Sequence, residues 1–268
     1  MFIRQTNSTN DLLRSLITDY QQGKVVSDEV STCLQQPLPV VHAGFQTAGR
    51  GQAGNTWESE EGKNLLFSVL LKQPKVPIQE GFRVAMWAAL AIVKTLHDIP
   101  LTIKWPNDIY YEDKKLCGML IENSITSAGW NYSIIGVGLN VNQTQWLSNA
   151  PNPVSIATIT HQQKDLSSLL DKIIAQMVED LSLLEDYENL KRQYFDFLYR
   201  KDGYHYYVER EVSVQPTDNQ WDDLHGAFEA KIVDITPQGE LILQLKDKQL
   251  RTYHFKQIRY VIKSKNEN

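Results

Sequence analysis

Residues 49–71 read Gly49-Arg50-Gly51-Gln52-Ala53-Gly54-Asn55-Thr56-Trp57-Glu58-Ser59-Glu60-Glu61-Gly62-Lys63-Asn64-Leu65-Leu66-Phe67-Ser68-Val69-Leu70-Leu71. The first six residues match Gly-x-Gly-x-x-Gly, the fingerprint of a dinucleotide-binding turn. That turn works by opening a helix whose N-terminus carries the pyrophosphate. Here a polar stretch with a further glycine follows, and then a short apolar run that reads as a buried strand. The arrangement is strand–long loop–strand, and it removes the βαβ unit a nicotinamide-dependent dehydrogenase would need. A glycine-rich loop without a helix behind it can instead fold over a ligand and offer its backbone N–H groups directly. Loops of this length without secondary structure are usually either functional or disordered.

On either side, the same kind of reading gives an α+β chain. Residues 1–5 read as a strand. Ser8 or Thr9 then caps a helix through Leu12, Leu13, Leu16 and Ile17, which Gly23 stops. Pro39 to Phe45 is the strand entering the glycine loop, residues 65–71 the strand leaving it, and Phe82 to Leu96 a core helix by its apolar spacing. Leu101–Trp105 is a short strand stopped by Pro106. Ile109–Tyr111 and Leu116–Ile121 form a hairpin around Glu112-Asp113-Lys114, and Tyr132–Val141 is a further strand. Leu166 to Leu198 reads as helix in two pieces, with apolar positions at Leu169, Ile173, Val178, Leu181 and Leu184. After Gly203 the texture changes to short β runs at Tyr204–Val208, Ala227–Ile235, Leu241–Leu245, Thr252–Phe255 and Ile258–Ile262, separated by turns such as Pro237-Gln238-Gly239. We therefore expect a domain over 1–203 and a small all-β unit, a barrel, over 204–268.

Bulk properties narrow the function classes. The chain has 268 residues, 42% of them hydrophobic, enough for one large core and an appendage. A formal charge of −5 argues against a nucleic-acid partner, which would call for a basic stripe. Cys33 and Cys117 have no metal or redox spacing, as expected of a cytoplasmic protein. The N-terminus has no apolar core of a secretory signal. The longest uncharged apolar stretch, Val84–Val93, falls short of the ~20 residues of a membrane span, so no membrane partner is expected.

Five constellations could carry chemistry. Ser8-Thr9-Asn10 reads both as a helix cap and as hydrogen-bonding groups at a pocket, and the two are compatible. The loop from Gln46 to Trp57 carries Gly49, Gly51, Gln52 and the phosphate-seeking cation Arg50. Lys104-Trp105-Pro106-Asn107-Asp108 is either a β-turn or a strand end aiming polar groups outward, and Asn107 and Asp108 supply oxygen donors of the kind Mg²⁺ takes. Lys115 opens the strand Leu116–Glu122. Gly118 in that strand, and Gly136 and Gly138 in Gly136-Val137-Gly138-Leu139-Asn140-Val141-Asn142, mark close approach by a ligand or another backbone.

Taken in order, these blocks resemble the biotin protein ligases over roughly residues 1–200. The most specific combination is Lys104-Trp105-Pro106-Asn107-Asp108 followed by Lys115-Leu116-Cys117-Gly118. The β appendage resembles that family's SH3-like C-terminal domain. The resemblance implies a central mixed sheet flanked by helices, with ATP, biotin and Mg²⁺ as ligands. Biotin would be activated as biotinyl-5'-AMP and passed to a lysine of a biotin carboxyl carrier protein domain. Residue by residue, Ser8, Thr9, Asn10 and Gln46 would hold biotin. Gly49, Arg50, Gly51, Gln52 and Trp57 would form the adenylate loop. Lys115 would bind the biotin carboxylate, with Gly118 beside it. Lys104, Asn107 and Asp108 would serve ATP and Mg²⁺, Asp108 could assist deprotonation of the acceptor amine, and Asn140 would hold the adenosine. Family members can be monomers or homodimers.

The chain departs from the family twice. Gln52, Ala53 and Asn55 stand where many members carry arginines, so the intermediate would be held with fewer ionic contacts. Only seven residues precede Ser8, so no DNA-binding helix-turn-helix is expected. The nearest alternative is a lipoate or octanoate ligase of the same superfamily, whose Arg-Arg-x-Ser-Gly-Gly-Gly loop is missing. A non-catalytic binding module would explain neither the lysines nor the glycine-bearing strands.

Overall fold

The apolar runs and glycine punctuation of the first 140 residues become one mixed sheet. A computed structural model describes residues 1–148, 152–210 and 226–262. Strands β1 (Phe2–Thr6), β2 (Val40–Gln46), β3 (Leu65–Lys72), β4 (Leu101–Lys104), β5 (Asp108–Tyr111), β6 (Lys114–Thr126) and β7 (Gly129–Leu139) form seven strands in the order β1-β2-β3-β7-β6-β5-β4. Only the β1–β2 pair is parallel; the others are antiparallel. The chain passes from β2 through the glycine loop into β3 and pairs with itself antiparallel. No α-helix intervenes, only a 3-10 turn over Gln52–Gly54.

The pleat gives the sheet two unlike faces. Leu65, Phe67, Val69, Ile135, Val137, Leu139, Cys117 and Met119 belong to the large apolar cluster, together with α3 (Phe82–Thr95). Ten consecutive residues of α3, Val84–Val93, are buried. This is why its sequence is apolar all round rather than striped. The opposite face is covered at one end by α1 (Thr9–Gln21), whose Leu13 and Ile17 pack with Val30 and Leu34 of α2 (Asp28–Gln35) and with Val41, Leu70 and Ile134 of the sheet. Helix α2 was not expected from sequence. It has eight residues and buries only two, and its clearest local mark is Ser27, whose side chain accepts a bond from Val30 N–H.

The remaining helices, α4 (Ile156–Thr160), α5 (Leu166–Glu179) and α6 (Tyr187–Asp196), follow in chain order. The long helical stretch read from sequence is broken by a 3-10 segment at Asp180–Leu184, and Val178, expected to be apolar-facing, is exposed. The C-terminal unit is an antiparallel sheet of β8 (His205–Glu209), β9 (Ala227–Ile235), β10 (Leu241–Leu245), β11 (Leu250–Tyr253) and β12 (Ile258–Tyr260), in the order β11-β10-β9-β8-β12. It is consistent with the expected small barrel. It also shares the main apolar cluster: Tyr207, Leu241 and Tyr260 join the residues under α3. The Trp105 indole N–H donates to the Gly239 carbonyl at 2.9 Å, and Arg200 donates to the Val261 carbonyl at 2.8 Å. No helix among the described residues is long and apolar enough to cross a membrane.

Candidate functional site

The site lies on the α1 face of the sheet, where glycines leave a trough. Gly118 and Gly138 are cross-strand partners in β6 and β7, and Leu120 pairs with Gly136 on the same face. A methyl group at Gly138 would overlap the Trp57 indole, and one at Gly136 would overlap the Asn10 amide. A methyl at Gly118 would come within 3.0 Å of both Trp57 and the Lys115 side chain. These three positions are glycine because Trp57, Asn10 and Lys115 fill the space a Cβ would occupy.

Arg50 and Thr56 bridge across the glycine loop, with Gly51 N–H donating to the Asn55 carbonyl at 2.7 Å and Trp57 N–H to the Gly49 carbonyl at 3.0 Å. The loop is thus already folded as a short hairpin-like flap. Its near end is tied to the turn before α1 by Thr47 N–H on the Thr6 carbonyl and Ala48 N–H on the Asn7 carbonyl. Its far end is tied by Glu58, whose carboxylate accepts from the N–H groups of Leu147 at 2.7 Å and Ser148 at 2.9 Å. Burial works to raise the Glu58 pKa, but these N–H donors outweigh it and leave it below the usual carboxylate value. A cleft of about 420 Å³ opens between the flap, from Ala48 to Thr56, and Leu120 and Glu122 of β6.

At the trough, Lys115 Nζ lies 2.9 Å from Asp108 Oδ1 and 5.7 Å from the Trp57 ring centre. Two strands bring this pair together: Asp108 starts β5, and Lys115 sits one residue into β6 across the hairpin. Asn107, buried, donates its amide to the Met119 carbonyl at 3.0 Å, and Gln52 reaches the same carbonyl at 3.4 Å. Asn140, also buried, donates to the Val154 carbonyl at 3.1 Å, while its Oδ1 is buried with no hydrogen-bond partner. The Trp57 indole N–H is likewise unpartnered. Two orphaned buried groups on one trough are hydrogen-bonding capacity a ligand can take up.

At the α1 end, Ser8, Thr9 and Asn10 are all buried at the helix start. Ser8 occupies the cap position, yet its hydroxyl makes no capping bond, which leaves it to the pocket. Gln46 Oε1 accepts from Thr9 N–H at 2.7 Å and from the Thr9 hydroxyl at 3.1 Å. The Ser68 hydroxyl lies 2.8 Å from Thr9 Oγ1 and 2.6 Å from Asn10 Oδ1. Asn10 Nδ2 donates to Glu122 Oε2 at 2.6 Å. Ser68 was not singled out from sequence. Its one signal is a hydroxyl inside an otherwise apolar strand.

Two cations have partners within the protein that the sequence did not indicate. Arg50 is engaged within the protein, 2.6 Å from Asp11 Oδ1 and 3.5 Å from Glu122 Oε1. Lys104 faces the C-terminal sheet: its amine lies 5.1 Å from the Tyr110 ring centre and 5.0 Å from that of Tyr260. The residue keeps some accessible surface, but its amine is enclosed. Burial pulls its pKa down to about 8, with Asp108 opposing and Lys115, Arg200 and Arg210 adding to the shift. Among the described residues no three His, Cys, Asp or Glu side chains cluster as a metal site. Asn107 and Asp108 carry oxygen donors of the kind a hard cation takes.

The model of the biotin/lipoate A/B protein ligase family matches residues 2–140. Among curated proteins, the bifunctional ligase/repressor BirA of Bacillus subtilis is 28% identical over 217 residues, covering 78% of this chain and 62% of that protein. A biotin–[acetyl-CoA-carboxylase] ligase of Mycobacterium tuberculosis is 33% identical over 142 residues, covering 51% of this chain and 46% of that protein. The chain thus spans less than two thirds of the length of these relatives. Among solved structures, a biotin protein ligase from Aquifex aeolicus in complex with biotin and ATP superposes with a TM-score of 0.68 at 20% identity, over 97% of this chain and 98% of that one. The shared fold includes the small C-terminal sheet.

Proposed function

The chain belongs to the biotin/lipoate A/B protein ligase family, and from that premise we propose that it activates biotin with ATP and transfers it to a lysine of a biotin carboxyl carrier protein domain. The observation that carries this reading is the Asp108–Lys115 pair, 2.9 Å apart over the glycine trough and roofed by Trp57. In the first half-reaction a biotin carboxylate oxygen attacks the α-phosphorus of ATP and pyrophosphate leaves. Two anions must meet, so cations at the meeting point lower the barrier. Lys115 would bind the carboxylate, and Arg50 stands on the flap above the same strand. The buried polar groups of Ser8, Thr9 and Asn10 and the half-buried Gln46 suit a ring with both N–H and C=O groups, as in biotin. These groups already bond to one another, to Ser68 and to Glu122, and an apolar dithiolane or alkyl chain would add no hydrogen bond to them where a ureido ring would, which favours biotin over lipoate or octanoate.

Asn140 Oδ1 and the Trp57 N–H offer the unpaired groups for the nucleotide end, and Lys104 adds positive charge nearby. Asn107 and Asp108 would hold Mg²⁺ together with ATP oxygens, where it would neutralise phosphate charge. The mixed anhydride is prone to hydrolysis, so a flap of Gly49, Arg50, Gly51 and Gln52 pinned at both ends has the use of keeping water out. In the second half-reaction the carrier amine attacks the acyl carbon, the C–N bond forms, and the C–O bond to phosphate breaks, releasing AMP. Asp108, beside Lys115, is the carboxylate we assign to take the amine proton. We assign this chemistry to residues 1–203 and to the cytoplasm, where Cys33 and Cys117 stay as free thiols.

The test is pyrophosphate–ATP exchange with biotin, lipoate or octanoate as the acid. Exchange is expected with biotin alone. Exchange with lipoate and not biotin overturns the reading.

A further inference from the structure

Glu122 has no part in the chemistry described so far, yet its side chain touches both the flap and the pocket. Its Oε2 accepts from Asn10 Nδ2 at 2.6 Å and lies 2.8 Å from Arg14. Its Oε1 faces Arg50 of the flap at 3.5 Å. Asp11 closes a ring of four charges, 2.8 Å from Arg14 and 2.6 Å from Arg50. On the inner side the contacts continue from Asn10 to Ser68, from Ser68 to Thr9, and from Thr9 to Gln46 at the end of β2. Gln46 leads directly into the flap. Glu122 also lines the 420 Å³ cleft.

We propose that Glu122 is a positioning residue that sets the Asn10 amide in the biotin pocket and, by the same carboxylate, tethers the flap through Arg50. The inner arm supplies the shorter of the two acceptors that set which way Asn10 points, the other being the Leu120 carbonyl at 3.3 Å. With Nδ2 committed to Glu122 and Oδ1 facing the Ser68 hydroxyl, the amide cannot flip, and its remaining lone pair has one direction. The outer arm gives Arg50 a resting place when no phosphate is present. When a phosphate draws Arg50 away, Arg14 remains on Glu122, so the inner arm is not left with an unpaired charge. Ion pairs this exposed are weak one at a time, so the tether is one that a ligand phosphate can outcompete.

The pocket half of this proposal rests on the biotin reading; the flap half does not. Two substitutions separate the arms. Glu122→Gln keeps an oxygen acceptor for Asn10 and removes one of the two carboxylate charges on Arg50, leaving Asp11. Glu122→Ala removes both. Two measurements are made on the full-length protein: the rate of tryptic cleavage after Arg50 with no ligand present, and KM and kcat for biotin in pyrophosphate exchange. Both variants should be cleaved several-fold faster than the parent chain. The biotin KM should rise about tenfold or more in Glu122→Ala and stay within about twofold in Glu122→Gln, with kcat changing less than KM in both. Unchanged cleavage in Glu122→Gln overturns the tether. An unchanged KM in Glu122→Ala, or an equal rise in both variants, overturns the positioning of Asn10. If Glu122→Ala fails to fold, Glu122→Gln decides alone: faster cleavage with a preserved KM supports the proposal and any other pairing refutes it. If the parent chain exchanges no biotin, the biotin reading fails on that result, and the cleavage rates still decide the tether.

Discussion

The two faces of the seven-stranded sheet are built from the same strands and solve opposite problems. On the α3 face, Phe67, Val69, Ile135 and Val137 meet a helix with ten buried residues in succession, and the packing is almost wholly apolar. On the α1 face the intervening residues are Ser68, Gly118, Gly136 and Gly138, and the space they leave holds Trp57, Asn10 and Lys115. The first face supplies stability, because burying apolar area is its only effect. The second gives stability up, through glycines in strands and buried polar groups, in return for a surface a ligand can meet. Period-2 alternation lets one strand serve both, since adjacent residues never share a face.

The sharpest way to break this comparison is one substitution on each face. Trp87→Ala, in the middle of α3, should cost about 3–5 kcal/mol of unfolding free energy in a urea titration. At temperatures where the variant stays folded, its exchange activity should be near that of the parent. Lys115→Ala should do the reverse. Adenylate formation should fall about 10²–10³-fold while the urea midpoint hardly moves. If Lys115→Ala unfolds the protein instead, the site is a structural ion pair and the contrast between the faces is wrong.

Next in size is Gly138→Ala. Its methyl would overlap the Trp57 indole, and overpacking of this kind costs about 1–3 kcal/mol. The easier relief is for Trp57 to leave the trough, since the indole stands on a loop and Gly138 on a central strand. The expected result is a red-shifted tryptophan emission and a raised biotin KM, with a smaller loss of stability than Trp87→Ala. A variant with native emission and native KM would mean that Trp57 is not the roof of the site.

The enclosed Lys104 gives a pH test of where the site face ends. Its pKa of about 8 in the folded chain lies below its ordinary value of 10.5. The unfolded chain therefore binds more protons between these values, and this group makes the fold more stable as pH rises from about 8 towards 10. Above that range the buried tyrosines Tyr110, Tyr199 and Tyr207, whose pKa values are pushed up chiefly by burial, oppose ionisation and reverse the trend. If Lys104 also serves the nucleotide, its lost charge should raise the ATP KM several-fold between about pH 7 and pH 9. Lys104→Arg should flatten that rise. A flat KM in the parent chain would confine Lys104 to joining β4 to the C-terminal sheet, where its amine rests against Tyr260.

What was legible in sequence follows from how local the cause is. The run Leu65–Leu71, the apolar helix Phe82–Leu96 and the hairpin turn at Glu112-Asp113-Lys114 are set by residues next to each other, and the structure has all three. The glycines also announced themselves, because a glycine in an apolar strand lacks a local reason. Their occupants did not: nothing in the Gly136–Asn142 stretch says that Asn10 and Trp57 will lie on it. Arg50 read as a cation awaiting phosphate, and its pairing with Asp11 and Glu122 depends on contacts across three elements. Lys104 read as an ATP ligand because it adjoins Trp105-Pro106-Asn107-Asp108. That its amine also rests against Tyr260, a residue of the other sheet, depends on a contact between the two sheets that no local pattern announces.

The smallest expected effect concerns the flap itself, where the chain is less charged than many members of the family it resembles. Gln52 makes only a long contact, 3.4 Å, to the Met119 carbonyl that Asn107 already holds at 3.0 Å. Replacing it with arginine therefore gives up little in the unliganded protein. The new guanidinium would sit on the same flap as Arg50, beside a strand that carries Lys115. An exposed cation of this kind is worth about 0.2–1 kcal/mol, so Gln52→Arg should slow the escape of biotinyl-AMP roughly two- to fivefold. Quantifying free biotinyl-AMP released from enzyme loaded with biotin and ATP would show it. An unchanged release rate would mean that the intermediate is held by the trough rather than by the flap. The charge missing from Gln52, Ala53 and Asn55 would then have no bearing on its retention.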